Sequence, residues 1–272
     1  MAITIKSPAE LELMRRAGQI VAATIATLVG ALRPGMRTAD LDSIAEREIR
    51  SRGGTPSFLG YKGYPASICV SVNEEIVHGI PGQRVLKEGD VVSLDVGAIY
   101  QGWQGDGAVT VGVGRISEEA RQLIAVTRGA LEAAIKQARP GVRLGDIGAT
   151  IQQYVESRGY SVVREYVGHG IGRQMHEEPQ VPNYGVPGRG LRLVKGMCLA
   201  IEPMVNIGDW HTRVGPDQWT IFTVDGSLSA HFEHTIAVLE EGAEVLTRLS
   251  GSDDIWAHTL GLPTGVSPGG SG

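Results

Sequence analysis

An internal repeat constrains this chain more than any other feature. Laid over one another without gaps, RPGMRTADLDSIAEREIRSRGG (Arg33 to Gly54) and RPGVRLGDIGATIQQYVESRGY (Arg139 to Tyr160) share Arg, Pro, Gly, Arg, Asp and the closing Ser-Arg-Gly. The shared residues are punctuation: Pro-Gly stops one helix and Gly ends the next. Each copy follows another helix. Ser7-Pro8-Ala9-Glu10 is a capping box with Pro at the first helical position. It opens a run with Leu11, Met14, Ala17, Val21 and Ile25 at helical spacing, stopped at Pro34-Gly35. Ser117-Glu118-Glu119 opens the second such run, which ends at Pro140-Gly141. Strand-like segments follow each helix pair, with no βαβ alternation. The pattern predicts an α+β chain built as a duplicated half-domain, with a cleft where the halves meet. Residues 1–250 would form one domain, and the Gly/Pro/Ser-rich stretch 251–272 a flexible tail.

Composition narrows the function classes. Hydrophobic residues make up 42% and charged residues 20%, ordinary for a globular protein able to bury a core. The net charge is −5 with Lys and Arg scattered, which argues against a nucleic-acid surface. The longest apolar run, Ile20 to Leu32, is too short to span a bilayer, and MAITIKSPAE carries no secretory core. Cys69 and Cys198 are too few for a disulfide framework and read as thiols in a reducing compartment. A cytoplasmic protein with no membrane partner is expected.

The chemistry gathers in the strands. VVSLDVGAIYQGWQGDGAVTV (Val91 to Val111) reads as two antiparallel strands around a tight turn at Tyr100, Gln101 and Gly102. A turn centred between Tyr100 and Gln101 would set Asp95 directly opposite Asp106 on one face. Two carboxylates that close repel each other unless a positive group sits between them. Downstream, EYVGHGIGRQMHEEP places His169 and His176 among glycines. Gly-His-Gly-Ile-Gly opens no amphipathic helix, which argues against a nucleotide loop. MCLAIEPMV puts Glu202 in an apolar strand, and SAHFEHTIAV does the same for Glu233. Val194–Val205 and Gln218–Val238 read as strands, the latter bent into a hairpin at Asp225-Gly226. No arginine lies close in sequence to pair with these acids. Four carboxylates and a His form a mostly-oxygen set suited to two adjacent divalent ions.

In this order and context Asp95, Asp106, His169, Glu202 and Glu233 resemble the five metal ligands of type I methionine aminopeptidases. The resemblance covers roughly Ile3 to Leu246, through SVNEEIVHGIP, DVGAIYQGWQGD, GHGIG, IEP and EHT. It implies the pseudo-two-fold pita-bread fold, a central antiparallel sheet with helices packed outside. It implies Asp106 and Glu233 as bridging ligands, Asp95 on one ion, and His169 with Glu202 on the other. The ions could be Co, Mn, Fe, Zn or Ni, with a monovalent cation near Asn73. Glu202 would also shuttle a proton, His176 would donate to the oxyanion, and His78 would contact the scissile amide. Tyr61, Tyr64, Cys69, Met175 and Trp219 would line the methionine pocket, with Phe58 nearby. Many members carry Phe where this chain has Met175, and the flexible Met softens that wall. The implied substrate is the N-terminal Met of nascent chains with a small second residue, cleaved by a monomer with no more than transient ribosome contact. His211, His231, His234 and His258 receive no catalytic role. The other readings are an Xaa-Pro aminopeptidase or prolidase relative, expected to carry an extra N-terminal domain, a creatinase-like hydrolase, and a non-catalytic peptide-binding protein on the same fold.

Overall fold

The computed structural model describes residues 3–248. The expected tail at 251–272, and His258 within it, lie outside the described residues. In the first half, helices α1 (Pro8–Ala31) and α2 (Thr38–Ser51) precede strands β1 (Thr55–Pro56), β2 (Cys69–Val72), β3 (Glu75–Val77), β4 (Val91–Tyr100) and β5 (Trp103–Gly112). The second half opens with α3 (Glu118–Gln137) and α4 (Leu144–Glu156), then β6 (Ser161–Val162), β7 (Gly168–Gly170), β8 (Glu177–Val181), β9 (Cys198–Ile201) and β10 (Met204–Asn206). It closes with β11 (Thr212–Val214), β12 (Ile221–Thr223), β13 (Ser229–His231), β14 (Glu233–Val238) and β15 (Ala243–Val245).

The repeat is visible in atomic detail. Gly35 and Gly141 both take positive φ, 89° and 90°, as only Gly does without strain. The Gly35 N–H donates to the Leu86 carbonyl and the Gly141 N–H to the Leu193 carbonyl, at 2.8 and 2.9 Å. Asp40 accepts from the Arg37 N–H at 2.9 Å, and Asp146 from the Arg143 N–H at 2.8 Å. The shared Arg and Asp therefore tie down the first turns of α2 and α4 in the same way. At the start of α1, Glu10 accepts from the Ser7 N–H at 2.8 Å, closing the capping box.

The central sheet runs β1-β4-β5-β14-β9-β7-β8, with β2 on β4 and β15 on β14, every pair antiparallel. Strand alternation divides its faces. Leu94, Val96 and Val109 join Ile20, Val21 and Ile25 of α1 in the main core. Helix α1 lies against β4 and β5, and α3 against β5, β9 and β14. A Cβ on Gly105 would meet the α1 backbone, 2.8 Å from the Gly18 nitrogen, so the missing side chain lets α1 approach this closely. Asp106, next along the strand, points to the opposite face.

Two expectations are corrected. The β4–β5 turn is a two-residue loop: Gln101 and Gly102 have φ of 49° and 79°, and Tyr100 pairs with Trp103. Asp95 is therefore opposite Ala108, and Asp106 opposite Gly97, so the two carboxylates are diagonal neighbours and not direct partners. Two successive positive φ angles match the right-handed twist of the flanking strands, and Gly102 takes one of them without strain where a turn centred on Tyr100-Gln101 would demand it of Tyr100. The second correction concerns Gln218–Val238. It breaks into β12, paired with β11 and β3, β13, paired with β10, and β14 in the central sheet. Asp225 accepts from the Asp209 N–H at 2.7 Å and the Ser227 N–H at 3.0 Å, fixing that bend against the 208–209 loop. Val194–Val205 is likewise split. Pro203, lacking an N–H, follows Glu202 where the chain leaves β9 for β10 in a smaller sheet.

Candidate metal centre and active site

Five adjacent strands each bring one residue to a common face. Asp95 lies on β4, Asp106 on β5, Glu233 on β14, His169 on β7, and Glu202 immediately after β9. Asp95 and Glu233 both pair with Ala108, which places them in one row across the sheet. Asp106 lies two residues from Ala108, and His169 pairs with Ala200, two before Glu202. An even offset keeps each of them on the same face. The residues between the acids are small, Ala108 in the row and Gly97 opposite Asp106, leaving room for the carboxylates.

The electrostatics of this face are unfavourable as they stand. Asp106, His169 and Glu233 offer ligand atoms within 4.8 Å of one another, all three buried. His169 Nε2 is 3.8 Å from Asp106 Oδ2 and 3.6 Å from Glu202 Oε1. Among the described residues, no Lys or Arg forms an ion pair with any of the four acids. Asp95 Oδ1, Asp106 Oδ1 and Glu233 Oε1 are buried without a hydrogen-bond partner. Burial pushes the Asp95 carboxyl up to about 7, and burial with the charge of neighbouring acids pushes Asp106, Glu202 and Glu233 well above the carboxylate range. His169 is driven down to about 3 by burial and then by His176, so its ring is neutral. Its Nδ1 lies 2.9 Å from the Gly170 carbonyl; donating there leaves a lone pair on Nε2, facing the acids. Convergent acids with orphaned oxygens and a neutral imidazole aimed at them fit divalent cations.

Beside the cluster opens a cleft of about 190 Å³ lined by Phe58, Tyr61, Tyr64, Cys69 and Trp219 along with the acids, His78 and His176. Burial, then the Asp95 charge, push the Cys69 thiol up, so it serves as apolar wall. Tyr64 is fixed by donating to the Gly79 carbonyl at 2.9 Å and stands edge-on to Trp219. Met175 is not on the lining. It packs with Phe58, Tyr64 and Cys69 in the cluster behind it, its Cε at 2.9 Å from where a Cβ on Gly97 would lie. His176 stacks on Tyr61, its Nδ1 2.9 Å from the Tyr61 hydroxyl, and its ring centroid is 4.2 Å from that of His169. Burial, and then the Lys62 charge, lower its pKa. His78 sits at a left-handed φ of 61°, backbone strain of the kind found at functional sites. Its ring meets Tyr166 edge-on, and burial takes its pKa down to about 4. Asn73 is also left-handed, with φ of 61°; its carbonyl accepts from the Ser229 N–H at 3.0 Å, and its side chain bridges Asp90 and Val91.

Two residues at the site were missed in the sequence. Lys62 lines the cleft, exposed, its ammonium 5.3 Å from the Tyr61 ring centroid. His231, given no role above, is buried with Nε2 3.7 Å from Glu202 Oε2. A charged residue between two glycines was the only signal for Lys62, and none in the sequence marked His231. His211 is exposed and bonds Asp209, and His234 bonds Thr247, so neither faces the cluster.

Comparison with known proteins agrees with this geometry. The profile of metallopeptidase family M24 matches residues 12–240. The chain belongs to metallopeptidase family M24. Methionine aminopeptidase of Clostridium acetobutylicum is 55% identical over 246 residues, 90% of this chain and 98% of its own length. Methionine aminopeptidase 1 of Bacillus subtilis is 54% identical over 247 residues, covering 91% of this chain and 100% of its own. The crystal structure of methionine aminopeptidase from Thermotoga maritima superposes with a TM-score of 0.90 at 52% identity, covering 91% of this chain and all, 100%, of that one. The pita-bread architecture implied by the resemblance, and consistent with the repeat, is thus the fold of this M24 chain. Prolidase from Pyrococcus furiosus matches with a TM-score of 0.74 at 22% identity over 66% of its chain, a likeness of fold alone. Among the described residues, no helix of this M24 chain is long and apolar enough to cross a membrane.

Proposed function

We propose that this chain is a metal-dependent aminopeptidase that removes an N-terminal methionine when the second residue is small. The observation that carries the reading is the junction of two features: a buried cluster of acids and one imidazole, contiguous with an apolar cleft of about 190 Å³. An unbranched, polarizable methionine side chain suits a pocket walled by Tyr61, Tyr64, Phe58 and Trp219. The acids at its end would receive the substrate's amino terminus, which is why cleavage stops after one residue.

Asp95, Asp106 and Glu233 would hold one divalent ion, and Asp106, Glu233, His169 and Glu202 a second. Bound there, such ions polarise a carbonyl and lower the pKa of water. Glu202 takes the proton from the attacking water and passes it to the leaving amine. With Nδ1 accepting from the Tyr61 hydroxyl, His176 carries its proton on Nε2 and donates it as a hydrogen bond to the carbonyl oxygen where charge develops. His78, held at its left-handed φ of 61° just after β3, faces the scissile nitrogen. A second side chain larger than Ala, Gly or Ser would crowd His78 and His176. Met175 acts from behind the wall, through Phe58. A monovalent cation would use the second lone pair of the Asn73 carbonyl. The enzyme would work in the cytoplasm as a monomer on nascent chains, with transient ribosome contact at most.

The test is a peptide panel with Mn²⁺ present. Met-Ala-Ser should be cleaved and Met-Lys-Ser and Ala-Pro left intact. Preferential cleavage of Ala-Pro would reassign the chain to the proline-specific branch, and no cleavage of any peptide would leave a binding protein.

A further inference from the structure

His231 is a buried histidine that the mechanism above does not use. Its backbone is clamped: the Thr110 hydroxyl accepts from the His231 N–H and donates to the His231 carbonyl, both at 2.8 Å. In the β10–β13 ladder it pairs with Met204, two residues beyond Glu202, and its ring reaches that carboxylate where the chain crosses from β9 to β10. The ring is 2% exposed, and its Nε2 has no hydrogen-bond partner. That nitrogen lies 3.7 Å from Glu202 Oε2, while Glu202 Oε1 lies 3.6 Å from His169 Nε2. The two oxygens of one carboxylate are therefore divided between two imidazoles. The Glu202 main chain is fixed separately, its carbonyl accepting from Asn183 Nδ2 at 3.0 Å.

We propose that His231 is a positioning residue for Glu202: an Nε2–H directed at Oε2 holds the carboxylate so that Oε1 faces the ligand cluster. The contact is longer than a hydrogen bond here, and hydrogen bonds of this kind tighten when a site is loaded. A histidine serving only to pack would not leave a buried nitrogen aimed at an acid, since an apolar side chain fills the space at lower cost. The inference rests on the function proposed above, because that reading gives Glu202 its two roles.

Gln and Met have nearly the same shape, but only Gln carries an N–H. The test compares His231→Gln with His231→Met. On the Mn²⁺-loaded enzyme with Met-Ala-Ser, the Met variant should lose about tenfold or more in kcat with KM changed less than about twofold, and the Gln variant should stay within about threefold of wild type. Calorimetric Mn²⁺ affinity should fall by about 10–100-fold in the Met variant and be retained in the Gln variant. In the Zn²⁺-loaded wild-type protein, imidazole ¹⁵N spectra should place the His231 proton on Nε2. A proton on Nδ1 would overturn the proposal even if the Met variant fails to fold. So would a Met variant with wild-type kcat and affinity, or a folded Gln variant as impaired as the Met one. Failure of the wild-type protein to cleave Met-Ala-Ser would instead remove the proposed function, leaving tautomer and affinity to judge the contact.

Discussion

At the scale of single residues, the site works through who faces whom. His176 touches Tyr61 on one side and packs near His169 on the other, yet its Nδ1 is committed to Tyr61 and not to the acids. Replacing it with Ala should lower kcat by about 10²–10³ while leaving bound metal unchanged, since one transition-state donor is lost and no ligand is. Kinetics paired with metal analysis checks this; loss of metal would make His176 a ligand. Lys62 tests the electrostatics. Its ammonium lowers the His176 pKa, so Lys62→Met should move the His176 titration upward, read from imidazole proton shifts. That Asp95, Asp106, Glu202 and Glu233 converge was legible in the sequence because carboxylates among apolar strand residues cost too much without a partner, and His169 stood out by its flanking glycines. Lys62 and His231 were not legible, because His176 and Glu202, the groups they act on, are brought to them by tertiary folding. Met175 was read as pocket wall, and the structure sets it one layer back.

At the scale of elements, the β4–β5 hairpin sets the geometry. Strand identity was readable from valine content, but register depends on which two residues take positive φ. Gln101 doing so beside Gly102 moved the pairing by two from the expected one. The strands read through Glu202 and across Asp225-Gly226 also broke, since ladder partners and loop anchors far along the chain decide where a strand changes sheets. Close packing of α1 on this hairpin can be tested at Gly105. A Cβ there would lie 2.8 Å from the Gly18 nitrogen and 2.9 Å from the Ala17 carbonyl carbon, backbone atoms that cannot rotate away. Gly105→Ala should destabilise the protein by about 1–3 kcal/mol or more, measured by denaturant unfolding. An unchanged midpoint would mean that α1 shifts freely on the sheet.

For the whole molecule, the repeat recognised from Pro, Gly, Arg and Asp gave the two halves and the cleft between them, because those residues do the same local jobs twice. What the halves enclose is a charge problem whose sign can be measured. The folded state raises the pKa of Asp95, Asp106, Glu202 and Glu233 far above the unfolded value of about 4, so it binds more protons than the unfolded chain. That contribution is present at low pH and is lost as pH rises through the folded pKa values. The buried histidines oppose it below their unfolded pKa of about 6.5 and drop out above it. Above about pH 6.5, where the histidines drop out, the chelated protein should therefore lose thermal stability as pH rises, and Mn²⁺ should remove the dependence. A flat profile in chelator would mean that the acids are paired by something other than metal.

The most direct measurement of the central claim titrates Mn²⁺ into metal-free protein and follows, in the same samples, bound metal and cleavage of Met-Ala-Ser. No cleavage is expected without metal, with activity appearing as Mn²⁺ binds and saturating by two equivalents. Cleavage at full rate in the metal-free protein, or no binding of Mn²⁺ at all, would contradict the assignment of Asp95, Asp106, His169, Glu202 and Glu233 as a catalytic metal centre.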